Sequence, residues 1–191
     1  MKFTSIGIEG AWEIDQIRHG DDRGWFQESF KSSLFVEHTG VHFVPAQSNI
    51  SKSQAGTIRG IHYSIAPEGQ GKLVTVMSGA IDDYVVDVRT GSPTFGQWRR
   101  IRLNASTPKA VLIDPHLGHA FQALEDETIV SYMVTAEFNP NAELAINPMC
   151  ATLAIEWNSS LGRVLSDKDI AAPNLREREE SNELPKASNF T

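Results

Sequence analysis

The sequence predicts an all-β protein, a sandwich, jelly roll or small barrel. Two observations carry this. Short runs rich in Val, Ile, Thr and aromatic residues recur at intervals of roughly ten residues with turn signals between them. No helical pattern of ten to fifteen residues alternates with those runs, which excludes a doubly wound α/β fold. In chain order the predicted strands are Gln47 to Ser51, Gly60 to Ser64, Lys72 to Met77, Tyr84 to Val88, Trp98 to Leu103, Ala110 to Ile113, Ala120 to Leu124 and Ile129 to Thr135. The turns between and after them include Gln54-Ala55-Gly56, Pro67-Glu68-Gly69, Ser78-Gly79, Thr90-Gly91-Ser92-Pro93, Pro115-His116 and Asn139-Pro140-Asn141. Helix is minor. Ser32 to His38 reads as one, with Leu34 and Phe35 inward and Gly40 past its end. Lys168 to Ala171 reads as a single turn before Pro173.

The 191 residues fit one domain spanning 1–191, and a chain of that length buries a substantial core. The stretch 173–191 is polar and charge-rich, which predicts a solvated surface helix or a loose tail. A composition of 40% hydrophobic and 21% charged residues excludes a disordered or fibrous chain. A net charge of −7 argues against a nucleic-acid partner, because phosphate neutralisation needs clustered positive charge. The longest apolar runs, such as Ala110 to Ile113, fall far short of the ~18 residues of a membrane span, and no signal-type segment opens the chain. The single cysteine, Cys150, excludes an intrachain disulfide and fits a cytoplasmic protein.

Three stretches place chemically costly residues among strand formers. In Arg59-Gly60-Ile61-His62-Tyr63, a regular strand would send Arg59 and His62 to opposite faces. Both reach one pocket only if the strand bulges, and Gly60 is the residue that allows it. In Pro115 to Phe121, His119 enters a strand pointing inward. In Ile129 to Met133, Tyr132 shares the face of Val130 and Val134. Taken singly, each of these is as readily a hydrogen-bonded structural residue. Arg23, Arg59, Lys72 and Lys168 are basic residues beside apolar or glycine-bearing stretches, and they gain meaning only if the fold gathers them. A metal site built from His62, Glu68 and His119 is an alternative, but its spacing is unlike the paired histidines of metal-binding cupins. No dinucleotide fingerprint, P-loop or nucleophile elbow is present.

Taken together, the motifs resemble the dTDP-4-dehydrorhamnose 3,5-epimerases. The matching segments are Arg23 to Glu28, Gln47-Ser48-Asn49, Gly56 to Tyr63, Gln70-Gly71-Lys72, Gly91 to Gly96, Gly118 to Phe121 and Leu165 to Asp169, in order across most of the chain. The resemblance implies a cupin-type jelly-roll sandwich with a few short helices. It also implies no metal or other cofactor, and a homodimer whose subunits exchange strands. The implied reaction inverts C3 and C5 of dTDP-4-keto-6-deoxyglucose. Both carbons flank the C4 ketone, so removal of either proton leaves an enolate. That needs a base on one face, an acid on the other and a donor for the oxygen.

By the same resemblance His62 is the base, Asp169 orients its imidazole, Tyr132 is the acid and Lys72 lies near the C4 oxygen. An imidazole is a competent base near neutrality. A phenol of ordinary pKa about 10 can donate a proton and regain it. His119 matches a second pocket histidine. Arg23, Phe26, Glu28, Gln47, Ser48, Asn49, Arg59, Phe138, Glu143 and Lys168 match substrate-binding positions, with Arg23, Phe26 and Glu28 supplied by the partner's exchanged arm. Three departures stand out. Phe138 replaces a tyrosine common in the family, which favours an enzyme acting at C3 only. Asp82 places a charge where an apolar residue is common. Ser64 replaces a frequent glutamine, so Ser64 to Gln70 is expected to reshape the sugar pocket. A silent nucleotide-binding module is the remaining alternative, disfavoured by the joint presence of His62, Asp169 and Tyr132.

Overall fold

The computed structural model describes residues 1–187. Its strands are β1 Lys2–Ser5, β2 Ala11–Asp15, β3 Arg18–Asp21, β4 Gly24–Gln27, β5 Gln47–Ser53, β6 Ile58–Ser64, β7 Lys72–Ser78, β8 Ala80–Val86, β9 Trp98–Asn104, β10 Lys109–Ile113, β11 Gly118–Ala123, β12 Thr128–Val134 and β13 Glu143–Ala145. The helices are α1 Ser32–Thr39, α2 Asp167–Ile170 and α3 Leu175–Glu180. A six-stranded sheet in the order β1-β2-β10-β7-β12-β5 faces a five-stranded sheet in the order β13-β6-β11-β8-β9. All pairings within both sheets are antiparallel. This is a cupin-type jelly roll, as the motifs implied. Strands β3 and β4 form a separate two-stranded arm.

Alternation along each strand sorts side chains between the sheets or away from them. Ile81, Val85, Leu103, Val111, Ile113, Phe121 and Val130 fill the space between the sheets. The outer face of the five-stranded sheet is covered too. Tyr63, Tyr84 and Val86 pack there against Ile146, Trp157, Leu175 and Leu184 from the later part of the chain. Being covered on both sides, β8 is buried throughout. On the outer face of the six-stranded sheet, Leu73, Ala110 and Leu112 meet Phe35 of α1 and Phe43.

Of the two expectations for 173–191, the structure shows the surface helix, α3, and not a loose tail over the described residues. The described part of that stretch, up to residue 187, is docked. Asn174 accepts from the backbone of Arg176 and Glu177 while Glu177 reciprocates, a complete capping box that starts α3. Leu175 and Leu184 are buried, and the Tyr63 hydroxyl donates to the Glu183 carbonyl at 2.9 Å. The remaining residues of the predicted tail, 188–191, lie outside the described part. Asp82 also finds its account. It faces Arg102 directly across β8 and β9, and the Arg102 Nε donates to its carboxylate at 2.7 Å. Among the described residues, no helix is long and apolar enough to cross a membrane.

Candidate active site

At one end of the sandwich the inward faces of β5, β6, β7, β11 and β12 leave a polar cavity in two lobes. His62, Lys72, Tyr132 and Lys168 line both lobes and form the waist between them. The larger lobe, about 570 Å³, is also walled by Ser51, Arg59, His119 and Asp169. The smaller, about 340 Å³, is walled by Gln47, Asn49, Gln70, Phe138 and Glu143.

The bulge expected at Gly60 is present. Against β11, His62 pairs with His119 but Arg59 pairs with Phe121, so β6 spends one residue more than its neighbour over the same span. Gly60 has φ +123°, and a Cβ there would lie 2.5 Å from the Ala120 Cβ. Only glycine fits that close approach. The extra residue turns Arg59 and His62 into the same cavity while Ile58, Ile61 and Tyr63 stay on the opposite, covered face.

Two histidine–carboxylate pairs serve the larger lobe, one lining it and the other reaching it through His119 from a buried Asp83. His62 Nε2 lies 2.8 Å from Asp169 Oδ1, and His119 Nε2 lies 2.6 Å from Asp83 Oδ1. Burial alone would raise the pKa of the Asp169 carboxyl, but hydrogen bonds from His62 and Ser166 outweigh it and hold it below the ordinary carboxylate value. A carboxylate that stays ionised both orients the ring and stabilises an imidazolium. Asp83 was not foreseen. It was legible in one respect: Asp82-Asp83 sits inside a strand of buried residues, so alternation must send one acid outward and the other between the sheets.

Tyr132 lies on β12 opposite Asn49 of β5, its ring packed on the core between the sheets. Burial pushes its phenol above the ordinary value, partly opposed by Arg59, so it keeps its proton through the neutral range. Lys72 is buried, and its Nζ donates to the Gln70 carbonyl at 3.2 Å. Burial pushes its ammonium down from the ordinary lysine value and Glu143 opposes that shift. A cation so little hydrated acts strongly on any developing oxyanion beside it.

The fold therefore gathers His62, Asp169, Tyr132, Lys72, His119, Arg59, Gln47, Asn49, Phe138, Glu143 and Lys168 around one cavity. It does not bring the others there within one chain. Ser48 alternates to the opposite face of β5 and lines an outer groove with Trp25, Thr75 and Met133. Arg23, Phe26 and Glu28 are exposed on or beside the β3–β4 arm. Of the segment Ser64 to Gln70, only Gln70 reaches the cavity wall. Among the described residues, no three of the His, Cys, Asp and Glu side chains are grouped to hold a metal ion, and Glu68 does not line the cavity holding His62 and His119.

A jelly roll holding a carboxylate-backed imidazole, a facing phenol and a buried ammonium at its open end has the make-up of a carbohydrate epimerase. Comparison with known proteins gives the same class. The family model for dTDP-4-dehydrorhamnose 3,5-epimerase matches residues 5–177. The chain is 40% identical over 185 residues to the dTDP-4-dehydrorhamnose 3,5-epimerase of Mycolicibacterium smegmatis, covering 97% of this chain and 91% of that one. It superposes with a TM-score of 0.96 on NovW, a 4-keto-6-deoxy sugar epimerase from the novobiocin gene cluster of Streptomyces spheroides, at 37% identity and with 100% and 96% of the two chains covered. With ChmJ, a 3'-monoepimerase of Streptomyces bikiniensis solved with dTDP-quinovose, the TM-score is 0.94 at 38% identity, over 97% and 93%. The chain belongs to the dTDP-4-dehydrorhamnose 3,5-epimerase family.

Proposed function

We propose that this protein inverts C3 and C5 of dTDP-4-keto-6-deoxyglucose by cofactor-free acid–base chemistry. The observation that carries the reading is the waist of the cavity, where His62, Tyr132 and Lys72 line the same space. His62 takes the proton from the carbon beside the ketone. The C–H electron pair forms a carbon–carbon double bond with C4, and the carbonyl pair moves onto oxygen. The Lys72 ammonium favours that oxyanion. Tyr132 then delivers a proton to the opposite face, the ketone reforms and the centre is inverted. The His62 imidazolium and the Tyr132 phenolate reset by proton exchange with solvent. Each acid–base group contributes about 10²–10⁴-fold, so stabilising the enolate supplies much of the remaining acceleration.

In this reading Arg59 and Lys168, joined by Arg23 from a partner, neutralise the pyrophosphate, for which the guanidinium fork is well shaped. Gln47, Asn49, Glu143 and the partner's Glu28 hydrogen-bond the nucleoside and sugar, and Phe26 and Phe138 offer flat surfaces to the base or sugar. His119 stands beside the sugar. The reading requires a homodimer. Its support is the arm, which pairs with neither sheet and leaves Trp25 and Phe26 61% and 70% exposed. Ser48, in the groove with Trp25, belongs to this arm-facing side. A buried, unpaired Cys150 suits the reducing cytoplasm in which the enzyme would work.

A second reading, inversion at C3 alone, is favoured by Phe138, which lines the smaller lobe without a hydroxyl. One experiment tests both. The purified protein, without added metal, is incubated with substrate in deuterated water and followed by NMR. Label at C3 and C5 supports the first reading, and label at C3 only supports the second. Absence of label at both carbons, or exchange that requires added metal, refutes both. His62→Ala should abolish exchange while leaving dTDP affinity nearly intact.

A further inference from the structure

We propose that Ser166 is a positioning residue for the base. Its hydroxyl fixes one oxygen of the Asp169 carboxylate so that the other is held on the His62 ring. The proposal rests on His62 acting as the base.

The geometry is a closed circuit. Asp169 Oδ1 meets His62 Nε2 at 2.8 Å. The Ser166 hydroxyl donates to Asp169 Oδ2 at 2.9 Å and accepts from the Asp169 backbone N–H at 3.1 Å. Ser166 is thus the N-cap of α2, and Asp169 occupies the third helical position. In the usual capping box an acid at that position turns back to the N-cap backbone N–H. Here the shorter aspartate takes the serine O–H instead, and its other oxygen is free for the imidazole.

The backbone of the segment is held by other contacts, which leaves the serine to act on the carboxylate itself. A four-residue helix does not hold itself together. It is pinned at its far end by Asn147 Nδ2 donating to the Ile170 carbonyl at 2.8 Å. It is pinned at its entry by Ile58 N–H donating to the Val164 carbonyl and Val164 N–H donating to the Gly56 carbonyl. The His62 side chain keeps 43% of its surface exposed, so the cavity does not clamp it from the front. The Gly60 backbone N–H also hydrogen-bonds the Asp169 carboxylate, so without the serine hydroxyl one donor besides the ring is left to hold it, and the Oδ2 side loses its anchor.

The test uses the full chain and three variants. Ser166→Gly removes the donor but keeps a good N-cap, since glycine there costs only a few tenths of a kcal/mol. Ser166→Thr keeps both functions, and His62→Ala identifies the signal. The first readout is the downfield imidazole N–H proton resonance of the ligand-free protein, which His62→Ala abolishes. The His119–Asp83 resonance serves as internal control. The second is steady-state turnover of dTDP-4-keto-6-deoxyglucose. Ser166→Gly should broaden or lose the His62 resonance and leave that of His119 in place. It should lower kcat by roughly 10–150-fold, the range for one hydrogen bond to a charged group, with KM within about twofold. Ser166→Thr should restore both. An unchanged resonance and kcat in Ser166→Gly would overturn the proposal, as would failure of Ser166→Thr to restore them. If the wild-type protein exchanges no substrate proton, the base assignment fails instead, while the resonance still reports on the serine.

Discussion

Replacing Asp169 by asparagine keeps the size of the side chain and removes its charge. At 2.8 Å the carboxylate faces the ring nitrogen of His62, which becomes positive once it has taken the substrate proton. Two unit charges at that distance attract by about 6 kcal/mol at an effective dielectric near 20. Asp169 is buried, but the His62 side chain is 43% exposed, so water screens a large part of this. Discounting for that exposure leaves about 2 kcal/mol, or roughly 30-fold in rate. The loss should fall on kcat, because the imidazolium forms only after substrate is bound. The assay is the initial rate of deuterium incorporation at C3 under saturating substrate, with dTDP affinity measured separately by calorimetry. Expected is a fall of roughly 10–100-fold in exchange with dTDP affinity unchanged within about twofold. Exchange at the wild-type rate would refute the idea that the carboxylate stabilises the charged ring. A matching loss of dTDP affinity would show that it shapes the pocket instead.

Three further outcomes are expected. Tyr132→Phe should still wash deuterium into C3 but yield little inverted product by NMR, because the opposite face lacks its proton donor; normal inversion would remove Tyr132 from that role. Gly60→Ala would place a Cβ 2.6 Å from both the Ala120 Cα and the His119 carbonyl oxygen at φ +123°. Backbone strain and overpacking together should cost about 2–6 kcal/mol, read as a lower urea midpoint, and an unchanged midpoint would contradict the bulge. Burial pushes the Asp114 carboxyl up to about 6, with Arg89 opposing and Glu9 adding to it. A raised carboxyl favours the folded state below the unfolded pKa near 4, and that contribution is lost as pH rises through about 6. Asp114→Asn should therefore leave the melting midpoint unchanged at pH 4 and raise it by a few degrees at pH 8; a lowered midpoint at pH 8 would contradict this.

The interior of the sandwich was readable because burial demands Val, Ile and aromatic residues at alternate positions. The predicted runs at Lys72, Trp98 and Ile129 coincide with β7, β9 and β12 to within a residue or so. Five strands were left unread: β1 is largely exposed, β2 buries Ala11 and Ile14 three residues apart, off the alternation, and in the other three no such demand operates. Arg18–Asp21 and Gly24–Gln27 form a largely exposed arm with no apolar alternation to betray it. Glu143–Ala145 is too short to show a period. In the stretch after Pro173 the charges foretold the exposed face of a surface helix but masked the buried Leu175 and Leu184 that dock it. In the site, His62, His119 and Tyr132 were visible as polar residues in apolar strands. Their partners were not visible in that way. Asp169 lies 107 residues from His62 and is marked only by the family motif Leu165 to Asp169, which also contains Ser166. Local pattern carries no information on which distant carboxylate a ring will meet. Ser48 shows the limit of transferring a motif whole, since Gln47 and Asn49 point one way and the residue between them points the other.

That interleaving on β5 has a practical consequence. Gln47, Asn49 and Ser51 serve the cavity, while Ser48 lines the groove outside and Ile50 is 74% exposed. A saturation scan from 47 to 51 should return a comb: alternate teeth that depress turnover, and gaps that leave it unchanged unless the proposed homodimer pairs through them. A library meant to retune which sugar is accepted therefore starts from Gln47, Asn49 and Ser51, and one meant to test the proposed homodimer starts from Ser48 and Ile50.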